Sequence, residues 1–137
     1  MIDKATREKI ISLIRREVVP ALGCTEPIAV SLAVAKATEL LGMQPEEINL
    51  GLSGNIIKNA MGVGIPGTGM IGLPIAIALG SLIGKSEYGL EVLKEVSPEA
   101  VDRGKAFIES VPINIKHLPD SPSNLHVDVE VLSLIHI

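Results

Sequence analysis

Cys24 is the one cysteine in 137 residues, and it stands where a cysteine is most easily made reactive. The local run is Val19-Pro20-Ala21-Leu22-Gly23-Cys24-Thr25-Glu26-Pro27, followed by the apolar, alanine-rich stretch from Ile28 to Leu41. Thr25 is a good N-cap, Glu26 suits the positive end of a helix, and Pro27 is tolerated in a first turn. Unpaired backbone N–H groups and a partial positive charge at such a helix start favour thiolate over thiol. A poised thiolate is a nucleophile, a metal ligand or a base. The bland alternative is a small buried hydrophobe.

A second run could also carry chemistry: Ser53-Gly54-Asn55-Ile56-Ile57-Lys58-Asn59-Ala60-Met61-Gly62-Val63-Gly64-Ile65-Pro66-Gly67-Thr68-Gly69. Gly62-x-Gly64-x-x-Gly67 formally matches a dinucleotide fingerprint. Yet no hydrophobic strand leads straight into it, Pro66 sits inside it, and no well-placed acid closes a βαβ unit. No Gly-Lys-Ser/Thr ends it, so it is not a P-loop. What it offers is a dense set of backbone N–H groups, with Asn55, Lys58, Asn59 and Thr68 as polar side chains. A small anion such as a carboxylate suits such a nest. The structural alternative is a tight glycine turn with Lys58 merely solvated.

The elements that must position these residues follow from periodicity. Residues 3–19 read as an amphipathic helix with Ile10, Ile11, Leu13, Ile14 and Val18 on one side. A helix of about 26–41 is apolar nearly all round and stops at Gly42. Residues 48–52 alternate as a strand, a glycine-rich loop spans 54–69, and an apolar helix covers about 70–83. Short helices follow near 86–95 and over 98–110, the latter capped by Ser97. Ile113/Ile115 and Val127/Val129/Val131 alternate around a polar turn and predict an antiparallel pair. The class is α+β: apolar helices around a glycine-rich loop, with a short mixed or antiparallel sheet. Residues 132–137 break the pattern and read as a truncated or foreign end, so the chain reads as an incomplete portion of a larger domain, and His136 supports no function.

Composition narrows the field. Net charge is −4 at a pI near 5.3, and no basic run interleaves with aromatics, so nucleic acid is an unsuitable partner. One Tyr, one Phe and no Trp leave a core that must pack through small residues and close backbone approach. A lone cysteine excludes an internal disulfide framework, and residues 3–9 are too polar for a signal peptide; the expected compartment is the cytoplasm. Met70 to Ile83 is uncharged but only about 14 residues long, short of the ~18–20 needed to span a bilayer. His117 and His126 flank the polar turn and could share a metal, but no third ligand stands at a recognisable spacing, so surface strand histidines are the better reading. Glu46-Glu47 and Glu91/Glu95 read as solvated faces.

Taken together, VPALGCTEPIAVSLAVAKA and SGNIIKNAMGVGIPGTGMIGLP resemble the N-terminal part of the L-cysteine desulfidase family, related to the alpha chains of iron–sulfur-dependent L-serine dehydratases. The resemblance runs from roughly Ile10 to Val131. It implies a single N-terminal portion, residues 1–137, of a serine dehydratase alpha-chain-like catalytic domain. It also implies a β-elimination turning a small L-amino acid into pyruvate, ammonia and a leaving group, with a 4Fe-4S cluster held by cysteines later in the chain and one iron left open as Lewis acid. By resemblance Cys24 is the proton acceptor, and Thr25, Ser53, Asn55, Lys58, Asn59, Gly67 and Thr68 line the substrate site. No metal ligand falls in this chain. The missing C-terminal part, or a companion chain, is the implied partner, and a homo-oligomer is compatible.

The residues alone agree with that chemistry and leave alternatives open. Cys24 is either the base or a single cluster ligand completed from elsewhere; the base is preferred because a cluster with an open iron takes three thiolates and this chain has one. Lys58 and the Asn55/Asn59 pair would hold the substrate carboxylate and amino group. A rival enzyme would use pyridoxal phosphate, with Lys58 as Schiff base and Gly62–Gly69 around the phosphate. A non-enzyme rival is a membrane-embedded or binding module built on residues 60–84. The chain as it stands is expected to assemble no iron–sulfur cluster on anaerobic reconstitution and to turn over neither L-cysteine nor L-serine. Stoichiometric bound iron and sulfide with pyruvate formation would contradict this.

Overall fold

A computed structural model describes residues 1–134; His136 and the end of the atypical 132–137 stretch lie outside them. The structure is mixed α+β. The longest helix, α2 (Thr25–Leu41), is apolar on most sides and ends where Gly42 turns left-handed at φ 77°. There the Gly42 N–H reaches back to the Thr38 carbonyl at 3.0 Å, the C-terminal stop expected of glycine. Helix α4 (Leu73–Leu82) is buried along almost its whole length, and α5 (Pro98–Ser110) begins at Ser97, whose hydroxyl accepts from the Ala100 N–H at 3.1 Å.

Helices α2 and α4 pack backbone to backbone. A methyl group on Gly80 would lie 2.5 Å from the Ser31 carbonyl oxygen, and one on Gly84 would lie 3.0 Å from Ala35 Cβ. The Ser31 hydroxyl donates to the Ala76 carbonyl at 2.7 Å. Thr38 donates to Ser81, which donates to Gln44. Buried hydroxyls are thus satisfied across the helix pair, as burial requires. On the other side of α4, Gly104 of α5 admits Ile75 and Leu79.

The sheet departs from the predicted antiparallel pair. Strand β1 (Glu47–Leu52) lies between β4 (Ile113–His117) and β5 (Val127–Leu132), in the order β4-β1-β5. It runs parallel to β4 and antiparallel to β5, with Ile48 opposite Ile113 and Leu50 opposite Val129. Burial follows this order: Ile48, Leu50 and Leu52 of the central strand are at most 3% exposed, while the inward residues of β4 and β5 are only partly buried. The segment joining β4 to β5 must then cross β1, and Gly51 makes room for it, since a Cβ there would meet Leu118 at 2.8 Å. The inner face of the sheet packs on Val30, Val34, Ile56 and Ile77, while Ile28, Ile65, Ile75, Leu79 and Leu93 form a second apolar cluster.

Three local expectations are corrected. The glycine-rich segment is no continuous loop: it contains helix α3 (Gly54–Ala60) and a small antiparallel hairpin of β2 (Gly64–Ile65) and β3 (Met70–Ile71). Helix α4 consequently starts at Leu73, after Gly72 at φ 89°. Residues 86–91 form a 3-10 helix with a break at Gly89. Helix α1 (Lys4–Glu17) forms as predicted, with Asp3 as N-cap, but none of its residues is buried. Its apolar side stays in the open, with Leu13 and Ile14 about half exposed. Among the described residues no helix is long and apolar enough to cross a membrane.

Gly80→Ala is expected to lower unfolding free energy by about 1–3 kcal/mol, because the obstructing atom is backbone and cannot rotate away. A denaturant midpoint unchanged from wild type would contradict the packing described.

Candidate functional site

The site begins at the turn that enters α2. Gly23 has φ 93°, and a Cβ on it would sit 2.8 and 2.9 Å from Pro66 Cγ and Cδ. Glycine is therefore needed twice over, for the left-handed backbone and for contact with the hairpin. The turn is tied down by the Leu22 N–H, which donates to the Leu90 carbonyl at 3.1 Å. Cys24, not Thr25, is the N-cap of α2, and its side chain makes no capping hydrogen bond. The cysteine is exposed, so the buried-hydrophobe reading fails here. Thr25 is displaced to the first helical position, where its hydroxyl donates to Glu26 Oε2 at 3.2 Å.

Helix α3 carries the remaining polar candidates. Ile56 and Ala60 are buried while Asn55 and Lys58 are exposed, so Lys58, also the candidate Schiff-base lysine, stands in solvent in the last turn. Asn59 lies between these faces and donates to Glu26 Oε1 at 3.4 Å. The two motifs thus meet at two points, Gly23 on Pro66 and Glu26 on Asn59. One of the two Asn59 amide hydrogens is turned to Glu26, which leaves the amide's second hydrogen and its oxygen outside that bond.

Two expected site residues are engaged elsewhere. Ser53 is 2% exposed; its hydroxyl donates to the Asn124 carbonyl at 2.7 Å and accepts from the His126 N–H at 3.2 Å. It pins the crossover segment to the start of α3. The Thr68 hydroxyl donates to the Ile65 carbonyl at 2.7 Å and accepts from the Met70 N–H at 2.9 Å, closing the hairpin turn. Gly67 (φ 78°) and Gly69 (φ 64°) supply the left-handed backbone of that turn. The anion nest is partly spent, since the N–H groups of Val63, Thr68 and Met70 already have partners within the run.

Beside the first turn of α2 is a cavity of about 270 Å³. It is walled by Thr25 and Glu26, by Ile56 of α3, by Leu90 of the 3-10 helix, by Leu125 of the crossover segment and by Val127 at the start of β5. Sequence reasoning named Glu26 only as a residue suited to a helix start and missed it as part of a site. The available signal was an acid in the first turn of an otherwise apolar helix. A larger opening, about 600 Å³, lies on the outer face of the sheet around Asn49, Asn114 and Glu130 and includes none of the motif residues. His126 Nε2 lies 3.1 Å from Asp128 Oδ2, and the His117 ring faces Gly54. Among the described residues no three His, Cys, Asp or Glu side chains are grouped as metal ligands.

The hairpin glycines separate geometrically. A Cβ on Gly67 would meet Val96 Cγ1 at 2.6 Å, whereas Gly64 has open space around it and no positive φ. Gly67→Ala is expected to cost about 1–3 kcal/mol and Gly64→Ala less than about 1 kcal/mol. Thermal melting of both variants checks this, and equal losses would contradict the geometry.

No family model matches the chain, and no solved structure matches it. It is similar to curated relatives named UPF0597 proteins, a designation that names no reaction. The chain is 65% identical over 129 residues to one from Phocaeicola vulgatus, covering 94% of this chain and 30% of the relative. It is 63% identical over 126 residues to one from Bacteroides fragilis, covering 92% and 29%. With one from Aeromonas hydrophila it shares 50% identity over 117 residues, covering 85% and 27%. The chain spans about 30% of the length of the curated relatives it matches.

Proposed function

We propose that this segment belongs to a cytoplasmic lyase of the L-cysteine desulfidase and L-serine dehydratase type, acting on a small L-amino acid with a leaving group on Cβ. The observation that carries the reading is the convergence of the two motifs: the Cys24 turn rests on the glycine-rich hairpin through Gly23 and Pro66, and joins α3 through Glu26 and Asn59.

In the reaction, Cys24 as thiolate takes the Cα proton. The electron pair forms the Cα–Cβ double bond and the Cβ–S or Cβ–O bond breaks. The sulfur or oxygen departs as sulfide or, once protonated, as water. The resulting 2-aminoacrylate tautomerises to an imine that water hydrolyses to pyruvate and ammonia. Abstracting an unactivated Cα proton calls for a positioned base, and Cys24 is exposed and unspent in capping. Lys58 and Asn55, solvent-facing on α3, would hold the substrate carboxylate. A 4Fe-4S cluster would supply Lewis acidity toward the leaving group when bound. The donor set here does not fit it, since three thiolates are needed and this chain has one. Its ligands would come from the part of the relatives' length that this segment does not span, or from a companion chain, and no step above runs through it.

The test uses a full-length chain carrying this segment in place of the matching part of the Phocaeicola vulgatus relative. Cys24→Ser is expected to lower elimination of L-cysteine or L-serine by about 100-fold or more while leaving visible absorption from any cluster intact. Loss of iron from that variant would make Cys24 a ligand instead, and unchanged kcat would remove its role. Lys58→Met is expected to raise KM about tenfold or more with an unchanged melting temperature, because an exposed lysine contributes little to folding.

A further inference from the structure

Helix α1 carries an apolar face that no described residue buries. Ile10, Leu13, Ile14 and Val18 recur at the spacing of one helix side and are between 41% and 69% exposed. Val19 and Leu22, also exposed, continue the apolar surface along the chain toward the exposed Cys24. Charge surrounds the face, with Lys4, Arg7, Lys9, Arg15 and Arg16 outnumbering Glu8 and Glu17. A 14-residue helix is marginal in water by itself, because a costly nucleus is followed by only a few turns. Helices of this length are held by packing of their apolar side. A contiguous apolar face rimmed by charge marks a surface that another surface covers.

The length of the relatives points to what covers it. The match to the Phocaeicola vulgatus protein takes in 129 of the 137 residues. It therefore includes residues 9–129 whichever end falls outside, and Ile10, Leu13 and Ile14 with them. That match makes up 30% of the relative, so more than two thirds of the relative's length lies elsewhere. We infer that α1 is an internal docking face: in the full-length polypeptide its apolar side seats on the part of the same chain that this segment does not span. The covering surface is apolar, with acidic groups at its rim to meet the lysines and arginines of α1. A surface tethered to α1 by the chain itself acts at high effective concentration, whereas a second copy must be gathered from solution. The inference does not rest on the elimination proposed above, and holds whatever reaction the full-length chain performs.

Hydrogen–deuterium exchange of residues 4–17 in the same full-length chain, read by mass spectrometry, tests this. The α1 backbone N–H groups are expected to exchange at least about 100-fold more slowly than in an unstructured peptide. Leu13→Asp puts a charge into the docked face and is expected to remove about tenfold or more of that protection. Ser12→Asp, on the opposite side of the same helix, is expected to leave it within about twofold. Cross-linking of lysines to carboxylates in a mixture of isotopically light and heavy chains, refolded together, identifies the occupant. Links from Lys4 or Lys9 are expected to reach residues outside this segment and to join light only to light and heavy only to heavy. If Leu13→Asp does not fold, wild-type exchange and the cross-links still decide. Exchange at the peptide rate, or equal protection in Leu13→Asp and Ser12→Asp, would overturn the docking. Mixed light–heavy links would give the face to a second copy, and protection seen only with added phosphatidylglycerol vesicles would give it to a membrane surface; either result overturns the inference.

Discussion

The backbone contact between α2 and α4 is the constraint on which the rest of the molecule depends. A chain with one Tyr, one Phe and no Trp cannot fill its interior with rings, so it brings backbones together instead. Gly80 lets α4 lie against Ser31, Gly84 just beyond the end of α4 lies against Ala35, and the Ser31 hydroxyl donates to the Ala76 carbonyl. With its axis fixed in this way, a 17-residue helix of about 25 Å has little freedom in where its first turn goes. That turn carries Cys24 and Glu26.

The hairpin receives it. Because Gly23 has no side chain, Pro66 seats directly on the turn, and the hairpin keeps its shape through Thr68 and the left-handed Gly67 and Gly69. Most of the polar atoms in these two motifs serve the scaffold. Ser53 ties down the crossover segment, and Thr68 closes the turn. Those left facing outward are few: Cys24, Asn55 and Lys58. The scaffold thus satisfies most of its own polar groups and leaves an exposed thiol at the head of α2 and an exposed lysine on α3.

Local signals were legible in the sequence wherever a single residue decides the outcome. Ser97 and Gly42 mark a helix start and a helix end as their chemistry demands, and the alternation of Ile48, Leu50 and Leu52 marks a buried strand. Partners distant along the chain were not legible. Nothing in Ile113–His117 or Val127–Leu132 says that β1 comes between them, because the crossover depends on Gly51 giving way to Leu118. The short helix α3 hid in a glycine-rich run since only Ile56 and Ala60, four apart, pattern it. At the site, Cys24 was visible from its solitude beside a helix start, although Thr25 looked the better cap. The contact of Glu26 with Asn59 was not legible, because the two residues lie 33 positions apart.

We propose that a thiol at the head of α2 removes the Cα proton of a small amino acid. The direct measurement follows L-cysteine deuterated at Cα, anaerobically, with the full-length chimeric chain, recording deuterium released to solvent alongside pyruvate and sulfide. Release in step with pyruvate, and its loss in Cys24→Ala with the fold intact, is the predicted result. Deuterium release that proceeds equally in Cys24→Ala, or pyruvate formed with the deuterium retained, would contradict it.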